Sequence, residues 1–187
     1  MAENLNYNNG CLSVDWVNTS NEGWCNYYEN NLANEDYGLL YQWGTAMNWD
    51  GQNPADITEL EGTQGLCPDG WHIPTDDSLI ILAKHLASNS NCDYINGCSP
   101  SGTKLKASAS DTPISWNGSN VSGFTALPSG GRNGDGSFAH LGNVLGIWSS
   151  STNNSDAWYF AIFSDYSGFY PYAVVRHIAL SVRCIKN

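Results

Sequence analysis

Apolar positions change their period along this chain. In "DYGLLYQWGTAMNW", Tyr37, Leu40, Tyr41, Gly44 and Met47 fall at helical spacing and predict a short helix with a buried stripe. In "IPTDDSLIILAKHLAS" the signal is stronger. Thr75 is placed to cap, and Asp76 and Asp77 sit where the helix dipole favours anions. Leu79, Leu82, Ala83 and Leu86 make the stripe, and Lys84 and His85 lie near the C-terminal end. Beyond residue 100 the helical period fades. "GFTALPSGGRNGDGSFAHLG" is turn chemistry between short strands, with Gly130-Gly131, Asn133-Gly134 and Asp135-Gly136 as turn pairs. "GIWSSST", "AWYFAIF" and "ALSVRCIK" read as strands. In the last, Leu180, Val182 and Cys184 are expected to face inward, and Ser181 and Arg183 outward. In "WYFAIF" both parities are apolar, which predicts a strand that is sandwiched or that leaves one sticky face exposed. Helices followed by hairpins predict an α+β domain, two helices packed on a small antiparallel sheet.

Composition agrees. The chain of 187 residues suits one domain, residues 1–187, and 41% hydrophobic against 13% charged residues excludes a disordered chain. Nineteen glycines and eight tryptophans predict many turns anchored by large rings, with Trp43, Trp71, Trp148 and Trp158 as anchors. The net charge of −11 excludes a nucleic-acid binder, which needs a basic footprint to displace counterions. No apolar window is long enough for membrane insertion. "MAENLNYNNG" has neither the basic n-region nor the apolar h-region of a signal peptide, so an export signal is expected to lie elsewhere or the chain to leave by another route.

Six cysteines in a loop-rich chain favour disulfides and an oxidising compartment, extracellular, on a cell surface or on a virion. They allow about 15 pairings. Cys92 and Cys98 flank an Asn96-Gly97 turn, Cys11 and Cys25 flank another short loop, and Cys67 and Cys184 remain. His72, His85, His140 and His177 are scattered, and no HExxH, GxSxG or Ser/His/Asp arrangement is readable, so the chain is expected not to be an enzyme. The serines of "WSSST" read as structural. "NGDGS" lacks the full acidic spacing of a calcium loop and reads as a hairpin turn, so no cofactor is assigned.

The motifs "MAENLNY", "YGLLYQWGTAMN", "CPDGWHIPTD", "GTKLKA", "GFTALPSGGRNGDGSF", "GIWSSST", "AWY" and "SVRCIK" occur in this order over nearly the whole chain. Together they resemble the major paralogous domain (FISUMP) family of bacterial and related surface proteins. That family is similar to the C-type-lectin-like fold of the formylglycine-generating-enzyme type. The resemblance implies two helices, a small twisted antiparallel sheet, long irregular loops and chain ends brought close together. It supports Cys67–Cys184 as a staple. Folds of this type sometimes carry calcium, which keeps calcium as an alternative without assigned residues. The formylglycine-generating enzymes need a reactive cysteine pair, and no such pair is matched here.

One stretch departs from the family. Between "AWY" and "SVRC" the family usually carries an Asn-, Ser- and Tyr-rich run, whereas this chain reads "FAIFSDYSGFYPYAVVRHIAL". The replacement resembles the variable proteins of diversity-generating retroelements, in which AAY codons become NNY. NNY cannot encode Lys, Glu, Gln, Met or Trp, and residues 159–184 contain none of these. The resemblance implies a ligand-binding display domain whose variable stretch, residues 159–180, meets a protein ligand on another cell or virus. The expected contact residues are Phe160, Ile162, Phe163, Asp165, Tyr166, Phe169, Tyr170, Tyr172, Ala173, Val174, Val175, Arg176, His177 and Ile178. Pro171 and Gly168 break a central strand, so Tyr170 to Ile178 is expected as a loop or edge with exposed side chains, while Trp158, Leu180 and Val182 are expected in the core. A fixed-sequence adhesin, an oxidase with a free thiol and a calcium-dependent lectin are the alternatives.

Overall fold

The computed structural model describes residues 3–7, 35–49, 56–88, 92 and 97–187. Its strands are β1 (Tyr41–Gln42), β2 (Trp71–His72), β3 (Gly131–Arg132), β4 (Phe138–Ala139), β5 (Val144–Asn153), β6 (Asp156–Phe163), β7 (Tyr170–Val175), β8 (Ala179–Leu180) and β9 (Ile185–Lys186). Three α-helices accompany them among the described residues: α1 (Trp43–Ala46), α2 (Asp76–Ala87) and α3 (Ser101–Leu105). The architecture is mixed α+β, and every pair of these strands is antiparallel. They form a β1-β8-β3-β4 sheet, a β2-β9 pair and a β5-β6-β7 sheet.

Helix α2 forms where its periodicity predicts. Thr75 accepts from Ser78 N, Asp76 and Asp77 occupy the first turn, and Leu79 and Ala83 are buried. Ile80 and Ala87 join them, whereas Leu82 and Leu86 are only half-buried. The helix expected over Tyr37–Met47 is cut to the four residues of α1. Gly38 adopts φ 72°, and an added Cβ there would lie 2.8 Å from Asn4 Cβ, so the chain turns sharply at that point. Tyr41 and Gln42 then pair with Leu180 and Ala179 as strand. The short helix α3 has no apolar stripe that a periodicity search could find.

The β5-β6-β7 sheet is the centre of the molecule. Leu145, Ile147, Phe160 and Ile162 on one face pack with Leu79, Ala83 and Leu105 of the helices. On the other face Trp148 joins Trp43, Ile73, Val182 and the Cys67–Cys184 bridge. The Trp148 indole donates to Tyr41 O at 2.7 Å, and that of Trp43 to Ser149 O at 2.8 Å. The register shift in β5 between Trp148 and Thr152 turns the "SSS" segment toward residues 61–76. There Ser150 Oγ accepts from Gly62 N, and Ser151 Oγ donates to Glu61 and accepts from Asp76 N. These serines hold two chain segments together.

The two chain ends meet. Leu5 N donates to Val182 O at 2.8 Å, and Arg183 Nε to Asn4 Oδ1 at 2.7 Å. Ser181 and Arg183, expected on a wet face, are buried at 0% and 3% exposure. The period-2 reading fails because residues 181–184 lie between β8 and β9, with β5 on one side and the N-terminal segment around Asn4 and Leu5 on the other. Ser181 O accepts from Trp148 N, and Arg183 donates to Phe124 O and Thr125 O. Trp158, expected in the core, is half-buried. Its position pairs with Ala173 of the edge strand β7.

Cys67–Cys184 and Cys92–Cys98 are both disulfides, closing sequence separations of 117 and 6 residues. They fit an oxidising environment. Cys11 and Cys25 lie outside the described residues. No helix among the described residues is long and apolar enough to cross a membrane.

Candidate functional site

The stretch expected as a loop or edge is an edge strand. Residues Tyr170–Val175 pair with β6 in the register Tyr172↔Tyr159 and Tyr170↔Ala161. Proline is tolerated there because β7 is an edge of its sheet, where a missing N–H on the outer side breaks no ladder bond. Residues directly opposite in an antiparallel ladder share a face. Phe163, Tyr159, Ala161, Tyr170, Tyr172 and Val174 therefore share one face, and Phe160 and Ile162 point the other way.

That parity sorts the expected contact residues. Phe160 and Ile162 are fully buried against the helices, and so is Phe169, whose ring lies 5.0 Å from that of Phe160. These three cannot meet a ligand at the surface; their place in the contact set is corrected because they are core. Ala173 and Val175 sit on the opposite strand face from Tyr172 and Val174, with Val175 exposed. Arg176 is drawn away: its Nε donates to Ser155 O at 2.9 Å, and its guanidinium lies 5.3 Å from the Trp49 ring and 5.6 Å from that of Trp43. His177 lies against Gly134 of the β3–β4 turn, where an added Cβ would come within 2.5 Å of the imidazole. Val174 and Ile178 are half-buried beside the tryptophan core.

What remains is a connected group of rings. Phe163 lies 5.8 Å from Tyr166, 6.0 Å from Tyr170 and 6.2 Å from Tyr172, and Tyr172 lies 5.7 Å from Tyr159. Most of these contacts are edge-to-face, the arrangement that the ring quadrupole favours. Tyr166 is 60% exposed and Tyr172 41%. Burial, and then the nearness of Tyr172 to Tyr159 and of Tyr170 and Tyr166 to Tyr172, hold the Tyr159 and Tyr172 hydroxyls above the ordinary phenol range, so both remain neutral donors at physiological pH. Tyr159 is a member that the sequence reading missed. Its parity with Ala161 and Phe163 in "WYFAIF" is the signal that could have found it.

The turn that carries Tyr166 is buttressed. Lys106, at the end of α3, is buried and donates to the carbonyls of Phe163, Ser164 and Tyr166, each at 3.1 Å. Burial lowers its ammonium from the ordinary lysine value, and Asp165 opposes that shift. One helical turn earlier, Gly102 approaches so closely that a Cβ would lie 2.1 Å from Gly168 O. Thr103 N donates to Ser167 O, and Cys98 and Phe169 exchange backbone bonds beside the Cys92–Cys98 bridge. Lys106→Met is expected to cost about 2 kcal/mol, because three carbonyls lose a charged donor that water partly replaces. It should also raise amide exchange at Ser164 and Phe169. Unchanged exchange at both amides would show that the lysine does not hold this turn.

The "NGDGS" segment is the β3–β4 hairpin turn. Asp135 Oδ1 accepts from Ser137 Oγ at 2.6 Å and from Ser137 N at 2.9 Å, and those bonds hold its carboxyl below the usual range. Among the described residues no group of three or more His, Cys, Asp or Glu is placed to hold a metal ion.

A family model described as the Fibrobacter succinogenes major domain matches residues 1–186. No curated protein and no solved structure matches the chain.

Proposed function

The chain belongs to the Fibrobacter succinogenes major domain family, and from that premise we propose that it is a non-enzymatic display domain on a C-type-lectin-like scaffold. It binds a protein ligand on another cell or virus through the ring-bearing face of β6 and β7, and its stretch 159–180 is varied by a diversity-generating retroelement. One observation carries the reading: the rings of Tyr159, Phe163, Tyr166, Tyr170 and Tyr172 gather beside solvent on a hairpin whose backbone is fixed by Lys106 and Gly102. Tyrosine offers large contact area for little rotamer entropy, and a rigid backbone lowers the ordering cost of binding. An oxidase of the formylglycine-generating kind needs a reactive thiol, and the cysteines among the described residues, Cys67, Cys184, Cys92 and Cys98, are all bridged.

The burial pattern sharpens the test. A retroelement must vary exposed positions and spare Phe160, Ile162 and Phe169, whose replacement would empty the core. The source locus is expected to hold a reverse transcriptase and a template repeat with AAY codons at Tyr166, Tyr170 and Tyr172, but none at those three core positions. A locus without the repeat supports the fixed-sequence adhesin instead. Binding itself is tested by randomising Tyr166, Tyr170 and Tyr172 in a display library and selecting against unrelated proteins. Folded binders are expected, and a library that stays folded yet yields none argues against the display role.

A further inference from the structure

Strand β7 ends the β5-β6-β7 sheet, and among the described residues no strand lies along its outer side. We propose that this side pairs with an extended segment of the protein ligand, which adds a fourth strand to the sheet. The inference rests on the binding reading above and gives it a part carried by main-chain groups.

Parity fixes which groups are on offer. Just before β7, Phe169 N donates to Cys98 O at 3.3 Å and Cys98 N donates to Phe169 O at 3.2 Å. That exchange makes them a hydrogen-bonded antiparallel pair. Tyr170, the next residue, stands opposite Ala161 of β6, so Cys98 occupies the other side of the strand. Alternation then directs the main-chain groups of Tyr170, Tyr172 and Val174 to β6 and those of residues 171, 173 and 175 outward. Pro171, which has no N–H, fits the outward set. Val175 O accepts from Ile178 N at 3.5 Å. Ala173 N, Ala173 O and Val175 N form a row with no hydrogen-bond partner among the described residues. The row is bounded by the Cys98 segment at one end and by Trp43 at the other, whose N donates to Arg176 O at 3.2 Å. Donors and acceptors alternating along an extended line select an extended backbone.

This edge lacks the common protection. Soluble proteins blunt bare edges with charged side chains, above all lysine. Residues 170–175 carry no charge. Arg176, the next residue, is engaged by Ser155 O and by the Trp49 ring. Tyr172 and Val175, on opposite faces of the strand, are each 41% exposed. An added strand would therefore meet apolar neighbours on both faces, which suits β-branched or aromatic side chains in its centre. Charge argues against a second copy as the occupant, because two chains of net charge −11 repel each other. A neutral or basic segment of a different protein is favoured. Replacing side chains in residues 159–180 leaves main-chain donors in place, proline excepted. Strand pairing would thus persist while the rings select the partner.

The probe is acetyl-Lys-Thr-Val-Tyr-Val-Thr-Lys-amide, added to the isotope-labelled full chain. In the free chain the Ala173 and Val175 amides are expected to exchange with solvent about tenfold faster than those of Tyr172 and Val174. Saturating peptide should slow both by about tenfold and move their proton resonances downfield. The same peptide N-methylated at its three central residues should do neither, and a version with Glu at both ends should bind about fivefold more weakly at low salt. Ala173→Pro removes an outward donor, as Pro171 already does, and should weaken binding about tenfold, whereas Ala173→Ser keeps the N–H and the affinity. If Ala173→Pro does not fold, the N-methylated peptide decides. Slow exchange of both amides in the free chain, absence of shifts at them, or equal affinity of the methylated peptide overturns the proposal. So does the same response on concentrating the protein alone, which would assign the edge to a second copy. Failure here with successful library selection removes strand pairing and leaves the display role standing; the reverse result removes the display role alone.

Discussion

Removing the long bridge by the double substitution Cys67→Ala/Cys184→Ala is expected to lower the unfolding free energy by about 4–5 kcal/mol. The bridge joins residues separated by 117 positions, with Cα atoms 5.8 Å apart. A closure that long removes much of the unfolded chain's freedom, and the loss grows with the logarithm of loop length. Both sulfurs also sit in the core that contains Trp43, Trp148 and Val182, so two alanines leave that core underfilled. The short Cys92–Cys98 loop, at a separation of 6, provides the comparison, with an expected loss of about 2 kcal/mol for its removal. Urea titrations of both double variants decide the matter. If the two losses are equal, the closure argument fails.

Arg183→Met is expected to destabilise by about 3–4 kcal/mol while keeping side-chain volume nearly constant. Arg183 is 3% exposed, and its guanidinium donates to Asn4 Oδ1, Phe124 O and Thr125 O and lies 4.1 Å from the Phe124 ring. Burial pulls it below the ordinary arginine value, Glu3 opposes that shift, and it stays cationic at neutral pH. Methionine would leave three acceptors without this donor, Asn4 Oδ1 buried and the Phe124 and Thr125 carbonyls half-buried, each costing on the order of 1 kcal/mol. The damage should reach beyond the site, because Asn4 also donates to Tyr37 O at 2.8 Å and thereby ties the N-terminal segment to the chain just before the Gly38 turn. Chemical denaturation gives the energy, and proteolysis near residue 5 reports release of the N-terminus. A loss below about 1 kcal/mol would mean that water enters and replaces the guanidinium.

Arg183 and Cys184 belong to "SVRC" and Asn4 to "ENLNY", two motifs far apart in the chain whose roles emerge only when these segments meet. Local physics accounts for the elements that were legible. Helix α2 carries its cap, its dipole charges and its stripe within sixteen residues, so periodicity alone locates it. The apolar run of "WYFAIF" announces a strand that is sandwiched or leaves one sticky face exposed; helices cover one side, and Trp148 with the partly exposed ring group lies on the other. The candidate site was legible as a region. Tyr166, Tyr170 and Tyr172 lie where an aromatic-rich edge was expected, but Phe160, Ile162 and Phe169 are equally apolar and belong to the core.

Composition, the α2 pattern, the hairpin turn at Asn133–Ser137 and the strand character of residues 146–152 and 157–163 follow from the sequence by itself, because each depends on neighbours a few residues apart. Tertiary structure alone decided which face of β6 meets solvent, that Arg183 is enclosed, and that Lys106 holds a turn some sixty residues away. A period of two assigns residues to two faces without saying which one is covered. A buried cation is intelligible only when its acceptors, scattered over the chain, are seen together.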